Sequence, residues 1–353
     1  MSTTTEKTVL IPAIVGMGTI NIGSLSTGNV HHGRKSERPY LVSWNGTEIL
    51  VGAGVEAHAH SINERMETER LEEGQDYRAL IYATFAELFE SGKPIRVSLM
   101  FGYPVLVLQD KERTRQSVRI LRKWLVGRHQ FSVDGKPFEI EVVDIKVMAQ
   151  PVGTYFAWGL DQSGKWLRDK ADLNASVGIC DNGYNTVDLF AIERGNIVGK
   201  YVAGEKTGIR RAAETLMREV KSKYDVSLTR HEADQFLRQK EPILSCWAGD
   251  QDLTPLTTQA LESAAAQLGN ILETSWGNGK QFRHLLFTGG GSALLKEHLL
   301  QRYPHGVFLP DPILANAHGL ARYGRRVFKD AEVVIGLDPG FGNFKAVALT
   351  DED

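Results

Sequence analysis

The sequence is short of cysteine, carries no marked excess of either charge, and holds no long apolar run. Two cysteines in 353 residues, Cys180 and Cys246, make neither a disulfide framework nor a Cys-x-x-Cys zinc pair. A formal net charge of −2, from 41 Lys and Arg against 43 Asp and Glu, leaves no overall basic field to hold nucleic acid, so no direct nucleic-acid partner is expected. No apolar stretch reaches the roughly 20 residues that cross a bilayer. The polar opening Met1-Ser-Thr-Thr-Thr-Glu-Lys7 lacks the apolar centre of a signal peptide. These absences lead to the expectation of a reduced, cytoplasmic protein without a membrane partner. What is there, 42% hydrophobic and 24% charged residues, is ordinary for a globular chain. At roughly 100–200 residues per domain the length suggests two domains.

Periodicity organises the chain. Residues 8–15 and 48–52 read as strands on either side of a polar, Gly-rich loop at 22–38. The spacing of Tyr77, Leu80, Ile81, Thr84 and Leu88 predicts a helix over 76–90, stopped by Gly92 and Pro94. There follow a buried strand at 95–101, an amphipathic helix over 111–126 and a hairpin turning at Asp134-Gly135. Pro151 suits the first position of a helix over 151–160. The second half predicts strands at 176–181, 186–192 and 197–202, then a helix capped by Thr207 with Ile209, Ala212, Ala213, Leu216 and Val220 on its core face. A helix over 258–275, a strand at 284–288 and closing strands at 333–338 and 344–349 complete an α/β pattern.

Three glycine turns carry chemistry. In Asp338-Pro-Gly-Phe-Gly-Asn-Phe-Lys345 an apolar strand delivers an acid, glycines make a tight turn, and a second apolar strand leaves. Such glycines let backbone N–H groups approach an anion, the acid can hold a hydrated magnesium ion, and the lysine offsets phosphate charge. Asp181-Asn-Gly-Tyr-Asn-Thr-Val-Asp188 repeats the design. One Asn-Gly hairpin alone is commonplace; two acid–glycine hairpins of one design suggest two related domains that share a ligand. Gly289-Gly290-Gly291, between strand and helix, makes room for a ligand beside a helix N-terminus. A dinucleotide fingerprint is absent, since Gly289-Gly-Gly-Ser-Ala-Leu294 lacks its last glycine. Gly195-Asn-Ile-Val-Gly-Lys-Tyr201 is one residue short of a Walker loop and ends in Tyr.

Together the three turns resemble the two phosphate hairpins and the adenosine turn of the actin, sugar-kinase and heat-shock-chaperone ATPase superfamily. The nearest branch is the ParM-like plasmid-segregation actins and their archaeal relatives. Asp144–Tyr155 resembles their strand-to-helix connection, and Pro312-Ile-Leu-Ala-Asn-Ala-His-Gly319 their closing helix. The resemblance runs from about residue 80 onward and is weaker over 16–75. The order departs from the family: its first strand and first phosphate hairpin stand last here, which implies a circular permutation with the cut between Thr350–Asp353 and Ser2–Lys7.

The resemblance implies an actin-like domain I of residues 1–165 plus 318–353, with 31–75 as its small variable subdomain. Domain II is then 166–317, with 206–262 as its helical subdomain. It implies ATP or ADP with Mg2+ between the domains, and a water positioned for attack on the terminal phosphate. Gln150 would orient that water; Asp181 would align it or the water shell of the metal; Asp338 would hold Mg2+ through water. Gly340, Phe341, Gly342, Asn343 and Lys345 would form one phosphate wall, Gly183, Tyr184, Asn185 and Thr186 the other. Gly289, Gly290 and Gly291 would meet the adenosine, and Asp188 would act only through its neighbours. The implied function is a filament-forming ATPase that segregates plasmids or other cargo, with itself as head-to-tail partner and a DNA-binding adaptor. The alternative is a non-polymerising kinase or nucleotide-dependent binding module, for which Asp161 could serve as the acid. His31-His32, His58 and His60 read as exposed loop residues, because no carboxylate or cysteine spacing accompanies them. The cations of Lys111–Arg128 read as a solvated face, or as one that meets an acidic neighbour in a filament.

Overall fold

The structure, a computed structural model, describes residues 4–19, 38–63, 74–108 and 110–351. His31-His32, most of the loop read at 22–38 and much of the segment 31–75 lie outside the described residues. The first half of the chain forms β1 (Thr4–Pro12), β2 (Val15–Thr19), β3 (Tyr40–Trp44), β4 (Thr47–Val51), β5 (Ala59–Asn63), α1 (Gln75–Leu88), β6 (Ile95–Tyr103), α2 (Lys111–Leu125), β7 (Gly127–Val133), β8 (Lys136–Ala149) and α3 (Gln150–Gly159). There follow β9 (Ser176–Asn182), β10 (Val187–Glu193), β11 (Asn196–Ile197), β12 (Ala203–Glu205), α4 (Arg210–Tyr224), α5 (Arg230–Arg238), β13 (Ile243–Cys246), β14 (Gly249–Asp252) and α6 (Thr254–Trp276). The chain closes with β15 (His284–Thr288), α7 (Lys296–Arg302), β16 (Gly306–Phe308), α8 (Ala315–Val327), β17 (Val333–Pro339) and β18 (Asn343–Asp351).

Two large sheets organise these elements. One runs β1-β18-β17-β6-β8-β7-β3-β4-β2-β5; the other runs β11-β10-β9-β15-β16, with β12 also on β10. Their centres share one design. In the second sheet the antiparallel hairpin β9–β10 continues on one side into antiparallel β11 and β12, and on the other into parallel β15 and β16. In the first, the antiparallel hairpin β17–β18 continues on one side into antiparallel β1, and on the other into parallel β6 and β8. The spatial order is the same, yet β17 and β18 come last in the chain.

The parallel centre of the first sheet is covered on both faces, which is why β6 and β17 are near-continuous apolar runs. One face packs Leu99, Phe101, Ile335, Leu337 and Phe344 under Tyr77, Ile81 and Phe85 of α1. On the other face lies α8. A Cβ on Gly336 would collide with the Ala317 carbonyl, so this glycine sets how closely helix and strand approach. A separate core joins Cys180, Leu189 and Phe287 of the second sheet to Leu216, Leu268 and Leu272 of α4 and α6.

His58 closes a helical turn at Val55–His58 and His60 lies in β5, so neither is a loop residue, and the strand read at 8–15 divides into β1 and β2 at Ala13-Ile14. Two expectations for the second half also need correction. Residues 197–202 do not form one strand. Tyr201 N and Val202 N turn back onto the carbonyls of Val198 and Gly199 (3.0 and 3.1 Å), so a helical turn at Gly199–Tyr201 interrupts the ladder. Nor does Thr207 cap a helix: its hydroxyl is buried without a partner, and α4 begins at Arg210. The donors at that helix start go elsewhere. Gly208 N, Ile209 N and Arg210 N reach the carbonyls of Asn185, Gly183 and Tyr184 at 3.2, 3.1 and 2.8 Å. The turn between β9 and β10 thus caps α4 in place of a side chain.

Candidate functional site

The site begins with hairpin β17–β18. Asp338 and Lys345 stand opposite each other in register, and Lys345 Nζ donates to Asp338 Oδ2 at 2.7 Å with both side chains withdrawn from solvent. Burial acts against the lysine charge, but the carboxylates of Asp338 and Asp181 outweigh it and hold the ammonium pKa above its ordinary value. The turn closes through Gly340 N to Asn343 O at 3.1 Å. A Cβ on Gly342 would stand 2.8 Å from the Tyr184 Cβ, so the two glycine hairpins meet with no space for a side chain between them.

The second hairpin sets Asp181 against Asp188 in register. Burial pushes the Asp181 carboxyl up to about 6, with Lys345 opposing and Asp338 adding to the rise. Burial, then the charge of Asp181, pushes Asp188 up to about 7, although the Thr186 hydroxyl donates to its Oδ2 at 3.0 Å. The Val105 backbone amide also opposes the rise, and the carboxylate is fully withdrawn from solvent. A carboxyl raised in the folded state binds a proton that the unfolded chain has already released. Stability of the nucleotide-free protein should therefore fall as pH rises from about 4 to about 7, then level off. Asp188→Asn should flatten that fall by a few kcal/mol, at about 1.4 per pKa unit. Urea unfolding across this pH range checks it; an unchanged slope would show that Asp188 titrates normally.

Gln150 enters from the start of α3. Its Nε2 donates to the Pro339 carbonyl at 3.1 Å, beside Asp338, and it is buried. A Cβ on Gly102 would lie 2.8 Å from Gln150 Cγ, so that glycine leaves the glutamine its place. Helices α3 and α8 cross at Gly153 and Gly319, where a Cβ on either would strike the backbone of the other helix. The close crossing lets Thr154 Oγ1 donate to Asn316 Oδ1, and Asn316 Nδ2 to Asp181 Oδ2, both at 2.7 Å. Asn316 is thus a site residue that sequence reasoning placed only within a closing helix.

The third turn is divided. Gly290 lines the cleft, whereas Gly289 and Gly291 pack against Asn182 of β9. Opposite Gly290 stands α5, which the sequence reading missed. Its His231, Asp234, Gln235 and Arg238 all line the cleft. Asp234 grips Arg238 through two bonds, to Nε at 2.7 Å and to Nη2 at 2.9 Å. A signal for this helix did exist: Thr229 and Glu232 form a reciprocal capping box.

The cleft holds about 280 Å3 and gathers Gln150, Asp181, Asp338, Lys345, Gly340, Phe341, Gly342 and Asn343 with Gly183, Tyr184, Asn185 and Thr186. Asp188 lies behind it, buried in the sheet. Asp161 does not line it; that carboxylate closes its own turn by accepting from Ser163 Oγ and Lys165 N, each at 2.8 Å. Gly195 sits in the turn after β10 at the other end of the hairpin. Among the described residues no group of three or more His, Cys, Asp or Glu side chains is placed to hold a metal ion, and no helix is long and apolar enough to cross a membrane.

Comparison with known proteins agrees with this architecture. Residues 2–153 match the family described as the N-terminal domain of actin-like proteins. Residues 179–301 match the C-terminal part of the archaeal, MreB-like actin homologues. The hairpin β17–β18 lies outside both matches. No curated protein matches the chain. A 15-stranded ParM filament from Clostridium botulinum contains a chain that superposes with a TM-score of 0.66 at 16% identity, over 90% of this chain and 93% of that one. Bacillus thuringiensis ParM with ATP gives 0.62 at 15%, over 90% and 91%. An archaeal actin homologue in complex with ADP gives 0.62 at 16%, over 83% and 89%. At such identities the likeness is one of fold.

Proposed function

We propose that this chain, which has the actin-like α/β fold, is a cytoplasmic ATPase that binds ATP with Mg2+ in the cleft and assembles into head-to-tail filaments, serving plasmid or other cargo segregation. The observation that carries the reading is the meeting of two acid–glycine hairpins, from two sheets of one design, at a cleft that also receives Gln150 and Gly290. In this reading domain I is 1–165 plus 318–353 and domain II is 166–317, with the cleft between them. The matching strand orders of the two sheets support a circular permutation of domain I, because β17, β18, β1, β6 and β8 then correspond to β9, β10, β11 with β12, β15 and β16.

The residues fit the ligand chemically. Two buried carboxylates against one lysine leave net negative charge, which suits a hydrated divalent cation held through water by Asp338 and Asp181. That cation would supply charge neutralisation at the phosphates. Lys345 is bound to Asp338 and lies in reach of an anion entering beside Gly340 and Gly342. Gln150 Nε2 is held by Pro339, which leaves its amide oxygen to accept a hydrogen bond from a water and fix that water in line with the terminal phosphate. Asp181, oriented by Asn316, would take the second contact to that water. Asp234 and Arg238 stand where sugar or base would lie, next to Gly290. A kinase reading lacks its acid, since Asp161 is spent in its own turn.

Calorimetry with ATP and Mg2+ should give micromolar binding and slow hydrolysis, and light scattering should rise with ATP and fall as it is consumed. Failure to bind any purine nucleotide would refute the reading of the cleft.

A further inference from the structure

Helix α2 carries a charge that the chain around it does not balance. It holds six cations, Lys111, Arg113, Arg115, Arg119, Arg122 and Lys123, against one carboxylate, Glu112, and Arg128 follows at the start of β7. All six are exposed. A net charge of −2 over the whole chain excludes a general basic field but not this local one. The other side of the helix is committed to the fold: Ser117, Leu121 and Leu125 are buried, the two leucines in the core of the first sheet. Trp124 is engaged as well, edge-on to Tyr77 and beneath the Arg78 guanidinium.

Neighbouring acids neutralise only part of this charge. Glu112 pairs with Arg115 and Asp144 with Arg122, each at 2.8 Å. Arg119 and Lys123 have no ion-pair partner among the described residues. Arg115, Arg119 and Lys123 recur at four-residue spacing, about 6 Å along the axis at 1.5 Å per residue, with Arg122 beside them. Like charges at that spacing repel and weaken a helix, and nothing within the chain offsets the repulsion at Arg119 and Lys123. The shallow recess between these side chains is lined by Val118 and Val126 and by no aromatic residue.

We propose that this face of α2 binds the phosphate backbone of double-stranded DNA. A duplex presents one negative charge per roughly 1.7 Å of its axis, so an evenly spaced row of cations finds partners at any register along it. Arginine dominates the row, and its planar fork matches phosphate oxygens two at a time. Phosphate contacts carry no sequence information, so the binding is independent of sequence. Single strands call for exposed aromatic rings on which bases stack, and the recess has none. A folded acidic protein would find no aromatic anchor or pocket of the kind that carries protein contacts. The proposal does not depend on the reading of the cleft, so either can fail without the other.

The test titrates the full chain, without nucleotide, into a labelled duplex of about 30 base pairs and mixed sequence, and reads fluorescence anisotropy at about 50 to 200 mM NaCl. Phosphate contacts by Arg115, Arg119, Arg122 and Lys123, at about −0.9 each, give log affinity against log salt a slope of about −3.6, so affinity should fall roughly a hundredfold across that range. Arg119→Gln with Lys123→Gln keeps good helix formers and removes two contacts. It should lower affinity at least tenfold at the lowest salt and halve the slope, with circular dichroism unchanged and affinity for ATP with Mg2+ within twofold of the parent. Arg119→Gln alone should take about 0.9 from the slope. A second duplex of unrelated sequence should bind within twofold of the first. No duplex binding at the lowest salt overturns the proposal, as does a double variant with the parent's affinity and slope, or a strong preference between the two duplexes. Tighter binding of polyglutamate would overturn it in favour of an acidic protein, and tighter binding of phosphatidylglycerol vesicles in favour of a membrane surface.

Discussion

Deleting residues 331–353 should leave a protein that is insoluble or molten and binds no ATP. The segment is not a tail: β17 and β18 lie inside the first sheet, between β1 and β6. Val333, Val334, Ile335, Leu337, Phe344, Val347 and Leu349 are all buried, and at roughly 1.5–3 kcal/mol each their burial amounts to on the order of 10–20 kcal/mol. A domain is stable by only about 5–15 kcal/mol. The deletion also removes the strand that β1 pairs with among the described residues and uncovers the faces of α1 and α8 that rest on β17 and β18. The cleft loses Asp338, Lys345 and its glycine turn at the same time. Circular dichroism and calorimetry of the truncated chain check this. A truncated protein that stayed folded and bound ATP would reduce the hairpin to an appendage and refute the permutation.

The complementary experiment moves 331–353 ahead of residue 1. Thr4 already pairs with Asp351, so the join leaves five residues, 352–353 and 1–3, to form the connection. Hairpin loops of about that length are common. New termini after Asp330 fall at an exposed position. The rearranged protein should fold and keep the ATPase activity of the parent.

The second large effect is expected of Gln150→Ala, which should slow ATP hydrolysis about a hundredfold or more and leave nucleotide affinity nearly unchanged. A group that orients a water contributes in the transition state and hardly at all in the ground state, so the loss belongs in kcat. Removing one such preorganised group costs about 10²–10³ in rate. The side chain is buried and its amide is held by Pro339, so in the proposed reading truncation removes the group that orients the water. Asp338→Ala should behave differently. It strips Lys345 of its 2.7 Å partner and weakens Mg2+-dependent binding itself. Single-turnover hydrolysis alongside calorimetry separates the two variants. Hydrolysis by Gln150→Ala at the parent rate would leave Gln150 as a residue that merely ties α3 to β17.

Most strands at the centres of the two large sheets, most of the longer helices and the two acid–glycine hairpins are legible in the sequence, whereas 197–202 is misread and β3, β5, β13, β14 and β16 are not read. The legible elements rest on short-range causes: apolar runs for strands covered on both faces, 3.6-residue spacing for helices, and glycine where a turn leaves no room for Cβ. Asp181, Asp338 and Gln150 could be named because each stands at the end of such a segment. Short range also explains the failures. Thr207 has the chemistry of a cap, but the donors of α4 go to the carbonyls of a turn more than twenty residues earlier. Helix α5 announced itself through Thr229 and Glu232, yet its place over Gly290 depends on how α4, α5 and α6 pack, which no local pattern encodes. Asn316 reaches Asp181, 135 positions away in sequence, only because Gly153 and Gly319 let two helices cross backbone to backbone. That Tyr184 of one hairpin packs against Gly342 of the other, and that α5 stands over Gly290, were decided by packing between distant segments. Strand register and helix packing join segments whose separation along the chain carries no periodic signal.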